Sequence, residues 1–376
     1  MAAGWRTFKL GELVTFNTGK LDSNAAVRDG DYPFFTCSQE TLRTNTYSFD
    51  TECVLLAGNN ANGIFPLKYF HGKFDAYQRT YIVRPRNSEA LTTKFLYYTL
   101  RPKLSEFRRV STGAATKFLT LTILNESEIQ VPPLPIQKRI TGILSAYDEL
   151  IENSQRRIKI LESMARALYR DALRDEAKSS EPQVISDCKY WAFISENVNT
   201  YSGIKRYYAT ADIDGLAITG TGIDYAFSEK PSRAQKQPVV DSVWFARMKG
   251  TYKIAWYSSI NAGIAEASML SSGFAGFRAI EPEFWPLLFL TISSLEFHAQ
   301  KDLYCTGATQ MSLTNEGLRR IALPIPQESI ARRLGRQVMP MLNQILTFQI
   351  RIETLRRTRD LLLPRLLSGQ IKVELA

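Results

Sequence analysis

The 376-residue sequence predicts an α+β protein in which two mixed, β-rich domains alternate with two long helices, in the order domain, helix, domain, helix. Three observations carry this. The chain repeats itself at a long separation, and each copy of the repeat runs into a stretch whose apolar residues recur every seven positions. The block upstream of each such stretch has the short β-rich runs, frequent aromatics and Gly, Asn and Pro punctuation of a mixed domain. A chain of this length also exceeds what one core usually fills, so at least two globular units are expected.

The elements follow in order as 1–133, β-rich; 134–179, long helix; 180–325, β-rich; and 326–376, long helix. The repeat is plainest at 112–140, TGAATKFLTLTILNESEIQVPPLPIQKRI, and 306–334, TGATQMSLTNEGLRRIALPIPQESIARRL. Thr112, Gly113 and Ala114 match Thr306, Gly307 and Ala308; Pro133 and Pro135 match Pro324 and Pro326; Lys138 and Arg139 match Arg332 and Arg333. Fainter likenesses link ECVLLAGNNANGIFP (52–66) with SVWFARMKGTYKIAW (242–256), and TYIVRP (80–85) with FRAIEP (277–282).

From 136 to 178 the chain has no proline and only Gly142 as a breaker, so it reads as one helix of roughly forty residues, about 60 Å long. Ile151, Ile158 and Ala165 form one apolar line, and Tyr147, Leu161 and Leu168 the other. In the second stretch Val338, Ile345, Ile352 and Leu366 form one line, and Met341, Phe348, Leu355 and Leu362 the other. Pro340 and Pro364, placed at the first and last turns, predict a kinked or shortened second helix. Two helices that each expose such a seam can bury it against one another as a coiled coil. The charged runs 155–159 and 356–359 read as solvated faces.

Composition narrows the function. The net charge of +10 suits a polyanionic partner, because neutralised phosphates release counterions. Cys37, Cys53, Cys188 and Cys305 are scattered without CxxC spacing, which argues against a disulfide framework and a thiolate metal site and reads as buried small apolar residues. His71 and His298 stand alone and read as structural. No apolar run reaches membrane-spanning length and the opening MAAGWRTFKLGEL lacks signal-peptide order, so a soluble, cytoplasmic protein is expected.

The order of elements, the opening WRTFKLGELVTFNTGK with Trp5 and the LGE of 10–12, the TGA turn in both halves, the PPLP and PIP elements and the closing RDLLLPRLLSG (359–369) resemble the specificity subunit of type I restriction-modification enzymes over the whole chain. The block starting near Val184 departs from the pattern, because YYATADIDG (207–215) stands where a second LGE opening is expected. The resemblance implies two target recognition domains separated by two long antiparallel coiled-coil helices with a pseudo-two-fold internal repeat. Each domain would read one half of a bipartite site in double-stranded DNA. The helices would set the spacer and dock two modification (methyltransferase) subunits and, for cleavage, restriction (endonuclease and translocase) subunits, with no membrane involved. The rival reading is a coiled-coil interaction protein of the same family that has lost DNA reading.

The chain reads as non-catalytic and without cofactors. An adenine methyltransferase needs a Gly-rich S-adenosylmethionine loop and a (D/N)PP(Y/F) element for the flipped base; GFAGF (273–277) and VPPLP (131–135) are only partial imitations. The sole ExK, Glu176-Ala177-Lys178, falls at the end of the predicted helix, and no GxxxxGK(S/T) loop occurs.

Candidate DNA contacts follow from side-chain type on loops. Asn59, Asn60, Asn62, Gln78 and Arg79 in the first domain, and Lys205, Arg206, Tyr207, Tyr208, Arg247, Lys249 and Lys253 in the second, suit base edges: Asn and Gln pair with adenine, and Arg with guanine. Lys20, Thr112, Gly113, Thr116, Lys230, Arg233, Lys236, Thr306, Gly307 and Thr309 are candidates for the phosphate backbone, the Thr-Gly pairs being equally readable as turn formers.

Overall fold

The computed structural model describes residues 4–61, 63–113, 116–176 and 181–373, so the candidate Asn62 lies outside the described residues. The chain forms two compact units: Met1–Ile151 with Thr354–Ala376, and Glu152–Glu353.

Unit 1 is built on a six-stranded sheet in the order Val14–Thr18, Thr80–Pro85, Phe49–Ala57, Leu67–Ala76, Tyr32–Phe35, Leu42–Thr44. Its pairs are antiparallel except where Tyr32–Phe35 runs parallel to Leu67–Ala76. The helix Thr93–Val110, capped by Thr92 Oγ1 accepting from the Phe95 N–H, covers one face. Val54, Leu56, Val83, Phe95, Leu96 and Phe107 pack there with Ile140 and Leu144 of the first long helix and Leu363 and Leu366 of the second.

Unit 2 has two four-stranded sheets. One runs Trp191–Phe193, Phe274–Ala279, Ser242–Ala246, Ile254–Tyr257; the other runs Ile223–Tyr225, Lys205–Tyr208, Ser268–Ser271, Ala234–Lys236. Helices Trp285–Ile292 and Leu295–Leu303 lie with the first sheet. The core joins Phe245, Trp256, Phe277 and Trp285 to Ala165 and Tyr169 of the first long helix and Val338, Leu342 and Ile345 of the second.

The long helices are Leu134–Glu176 and Glu328–Leu367, 43 and 40 residues. Every residue of the two sequence-derived lines is buried or half-buried, from Tyr147, Ile151, Ile158, Leu161 and Leu168 to Ile345, Phe348, Ile352, Leu355 and Leu362. Two expectations are corrected. Pro340 stands twelve residues inside an unbroken helix, on its exposed face, where its ring points away from the packed side. Arg359, read as part of a solvated run, is 9% exposed. Its guanidinium donates to Asp148 Oδ1 at 2.5 Å, while Tyr98 Oη donates to Oδ2 of the same carboxylate at 2.7 Å.

Hydrogen bonds fix the register of the internal likeness. Gln137 N–H donates to Pro133 O and Ala331 N–H to Gln327 O, both 194 positions apart, so Pro132 answers to Pro326, and the prolines of PLP and PIP are not counterparts. Thr80 pairs with Ala57 and Phe274 with Ala246, which makes Phe274–Ala279 the counterpart of Thr80–Pro85 in place of 277–282. The missing opening of the second half also has an occupant. Leu10 N–H donates to Ser127 O, and Ile185 N–H donates to Ile321 O, again 194 apart on the acceptor side. Both Leu10 and Ile185 are fully buried, and VTF (14–16) and WAF (191–193) then take the same edge of their sheets.

The Asp148 cluster makes a measurable claim. Arg359→Ala leaves a carboxylate without its strongest partner and is expected to destabilise unit 1 by about 2 kcal/mol, less than a fully buried pair because Asp148 is partly exposed. Urea denaturation measures this, and an unchanged midpoint would reduce the pair to a surface contact.

Candidate nucleic-acid interface

In unit 1 the short strand Asn59–Asn60 pairs with Lys117–Phe118. The frame is closed by Leu119 N–H donating to Gly58 O at 2.8 Å and by reciprocal bonds between Thr112 and Phe118 of 3.1 and 2.7 Å. Gly113 sits at φ +103°, and a Cβ there would lie 2.1 Å from Thr116 O, so the turn entered at Thr112 and Gly113 depends on glycine. The turn 77–80 joins the frame through Gly58 N–H to Arg79 O at 2.8 Å, and the segment bearing Lys20 joins through Gln78 N–H to Leu21 O at 3.0 Å. The result is an open cleft of about 490 Å³ lined by Thr18, Gly58, Gln78, Arg79 and Phe118, among others. The Arg79 guanidinium lies 5.8 Å from the Phe118 ring centre, and Gln78 Nε2 donates to Asp22 Oδ1. The structure therefore brings Lys20, Asn59, Asn60, Gln78, Arg79, Thr112, Gly113 and Thr116 to one edge of the unit.

Unit 2 repeats this frame. Leu313 N–H donates to Arg247 O at 2.9 Å, Lys249 N–H donates to Met311 O at 3.0 Å, and Thr306 pairs with Ser312. Gly307, at φ +130°, closes the same turn, with Gln310 O 2.6 Å from where a Cβ would stand. Leu119 and Leu313 are 194 apart, so Gly58 answers to Arg247 and Asn60 to Lys249, one residue from the register the sequence strings suggest.

Residues 3–163 match the family model described as type I restriction modification DNA specificity domain. The chain is 35% identical over 177 residues to the specificity subunit of the type I restriction enzyme EcoDI of Escherichia coli, a match covering 47% of this chain and 38% of that one. It is 24% identical over 319 residues to the MjaIX specificity subunit of Methanocaldococcus jannaschii, covering 76% and 71% of the two chains. Residues 3–163 thus resemble the DNA specificity domain of type I restriction-modification specificity subunits. The fold of the chain is shared with the crystal structure of a type I restriction-modification system S subunit from M. genitalium, at a TM-score of 0.63 and 17% identity over 96% of each chain. The match to EcoDI leaves well over half of that longer subunit uncovered.

The remaining candidates of unit 2 divide by what already holds them. Arg247 donates to Leu313 O at 2.9 Å and Asn315 Oδ1 at 2.8 Å, so its guanidinium braces the frame. Lys253 Nζ donates to Thr210 O at 2.8 Å. Lys205 donates to Gln237 Oε1 at 2.6 Å, and Arg206 grips Asp224, its cross-strand neighbour, with two bonds of 2.6 and 2.8 Å. Tyr207 leans on Tyr225, and Tyr208 is half-buried beside the core. Lys230 donates to Ala234 O, and Lys236 to Ser195 O and Asn197 Oδ1. Arg233 is exposed near Gly273, whose carbonyl accepts from the Arg247 N–H. Burial and then the charge of Arg247 hold the Lys236 ammonium below the usual lysine range. Thr306, Gly307, Thr309 and Lys249 are exposed.

Several residues that shape these sites carried no signal in the sequence. Cys37, expected to be a buried apolar residue, is half-buried and donates its Sγ–H to Asn59 Oδ1 at 3.0 Å; the other three cysteines are buried. Lys301, wholly buried on the helix Leu295–Leu303, donates to Met248 O at 2.9 Å and Thr251 O at 2.8 Å, which pins the 247–253 loop from below. Only a contact map reveals such a brace, because a lysine on an amphipathic helix ordinarily signals solvent. Among the described residues no cluster of His, Cys, Asp and Glu could hold a metal, and no helix is long and apolar enough to cross a membrane.

His71 is exposed on its strand, whereas His298 is buried against Tyr252 and Phe297. Burial, followed by the charge of Lys301, pushes the His298 imidazole down to about 4. Between pH 6.5 and 4 the unfolded chain therefore binds a proton that the folded unit refuses, so stability falls as pH falls. Acidification across that window is expected to cost unit 2 roughly 2–3 kcal/mol through this group. His298→Phe should flatten the stability–pH curve there, and an unaltered slope would place the acid sensitivity elsewhere.

Proposed function

We propose that this chain is the DNA-binding specificity subunit of a type I restriction-modification enzyme, in which target recognition domains 1–133 and 180–325 each read one half of a bipartite double-stranded site. The observation that carries the reading is the recurring frame. One set of backbone hydrogen bonds holds Asn59 and Asn60 beside Arg79 in unit 1 and Lys249 beside Thr306 and Gly307 in unit 2, with different side chains on a like scaffold. Backbone bonds that recur while side chains change are what two readers of two different base sequences require.

The helices 134–179 and 326–376 act in this reading as an antiparallel coiled coil that sets the spacer. Its support lies in the contacts within each unit. Asp148 meets Arg359 in unit 1, and in unit 2 the Arg157 guanidinium lies 5.8 Å from the Phe348 ring centre, so the partner's number falls as the residue number rises. Exposed Ile160 and Met164, one helical turn apart, are apolar surface available to a partner chain. Two modification subunits and, for cleavage, restriction subunits supply the chemistry, for which this sequence carries no methyltransferase or nuclease motif.

Mapping methylated adenines in DNA from cells that carry the system tests the reading. Two short specific halves with a fixed gap are expected; a single continuous motif would contradict it. Asn60→Ala is expected to relax the preference at one base pair of one half by about 1–3 kcal/mol and leave the other half intact. Equal weakening on all sequences would move Asn60 to the phosphate backbone.

A further inference from the structure

We propose that Lys249 is a specificity-determining residue of unit 2, and that buried Lys301 with its half-exposed partner Asp302 is its positioning device, holding the 247–251 loop in one shape before DNA arrives. The inference rests on the DNA-reading function proposed above.

The loop joins strands Ser242–Ala246 and Ile254–Tyr257, and its backbone is bonded on every side. Arg247 N–H donates to Gly273 O, and Arg247 O accepts from Leu313 N–H. Lys249 N–H donates to Met311 O, and Gly250 N–H donates to Asp302 Oδ1 at 3.1 Å. The carbonyls of Met248 and Thr251 accept from Lys301 Nζ, which also lies 3.1 Å from Asp302 Oδ1. Thr251 Oγ1 closes the turn on Met248 O at 2.6 Å, and Gly250 supplies the positive φ of 70°.

A tight hairpin needs no such apparatus, since a two-residue turn with glycine at a positive φ closes itself. Placing an ammonium where none of its side chain is exposed carries a heavy desolvation cost, offset here by two carbonyls and one carboxylate. The arrangement is explained if the loop must keep its shape while a ligand is bound, because rigidity fixed in advance is not paid for again at binding.

What this rigid loop presents is Lys249. Its side chain is exposed and makes no hydrogen bond or ion pair among the described residues, whereas Arg247, Lys253 and Lys301 around it are all engaged. An ammonium carries donors only, and the base edge that offers it two acceptors in the major groove is guanine, through O6 and N7. At the same register unit 1 has Asn60, whose amide carries both donor and acceptor and suits adenine.

The test is selection of bound duplexes from a random-sequence pool by the full chain with its copurifying subunits, followed by sequencing. The unaltered protein is expected to select a two-part consensus with a guanine preference in one half. Lys249→Asn should reduce that preference on the order of ten-fold or more at that one position and leave the other half untouched. Lys301→Met, with Lys249 intact, should blur the same position about ten-fold while the other positions of that half keep their preference, which serves as the internal control for the folding of unit 2. If Lys301→Met unfolds, Asp302→Asn is read in its place with the same expectation. Uniform weakening by Lys249→Asn on all duplexes, or loss of selectivity at every position of that half by the Lys301 and Asp302 variants alike, would overturn the proposal. Absence of any two-part consensus with the unaltered protein would instead overturn the DNA-reading function beneath it.

Discussion

Burial of the heptad seams is the constraint on which everything else rests. A helix of forty residues with an apolar stripe is marginal in water until that stripe is covered. Here the cover comes from the globular cores: Ile140, Leu144, Leu363 and Leu366 lie in one cluster with Val54, Phe95 and Phe107, while Ala165, Tyr169, Val338, Leu342 and Ile345 lie with Phe245, Trp256 and Phe277. At about 1.5–3 kcal/mol for each large side chain buried, a helical segment cannot leave its unit without opening that unit's core. Within each unit, therefore, the edge that carries the candidate contacts and the helical segments are parts of one packed body, and a loop held to the sheet is held to the helix as well.

That rigidity reaches the loops through backbone bonds. Gly58 and Leu119 in one unit, and Arg247 and Leu313 in the other, join two stretches of chain far apart in sequence, and Gly113 and Gly307 allow each turn to close without a side chain in the way. Because amide and carbonyl groups make these bonds, the identity of the side chains at 59, 60, 248 and 249 is free to differ between units without altering the frame. A scaffold that separates the bonds that shape it from the side chains that face outward can change the groups it presents by substitution alone.

The periodic and repeated parts of this fold were legible in the sequence because they are local. The seven-residue spacing that put Ile151, Ile158, Ile345 and Ile352 on a seam depends only on helix geometry, and all four are buried or half-buried. The TGA turn was legible for the same reason, since glycine at a positive φ marks a turn wherever it occurs. What the sequence concealed was long-range. VISDCKYWAF at 184–193 shares almost no residues with the LGEL opening, yet Ile185 makes the bond that Leu10 makes, because a strand start needs only an apolar anchor and a backbone N–H. The proline match misled by three positions because proline recurs near helix starts for reasons of its own. Asp148 and Arg359 are 211 residues apart, and nothing in either neighbourhood announces the other.

The same distinction explains why residue type alone selects so many candidate DNA contacts. A lysine or arginine on a β-rich surface is surrounded by carbonyl oxygens at strand ends and turns, and it binds them when within reach, as Lys230, Lys236, Lys253 and Arg247 do. Such a cation still contributes to the field that draws a polyanion, but its donors are committed and cannot follow the pattern of a base edge. Residue type together with loop position therefore selects too many candidates. The sharper criterion is a polar side chain carried on a backbone that is itself bonded into the frame, which in unit 2 singles out Lys249 and in unit 1 directs attention to the pair formed by Arg79 and Phe118 beside Asn59.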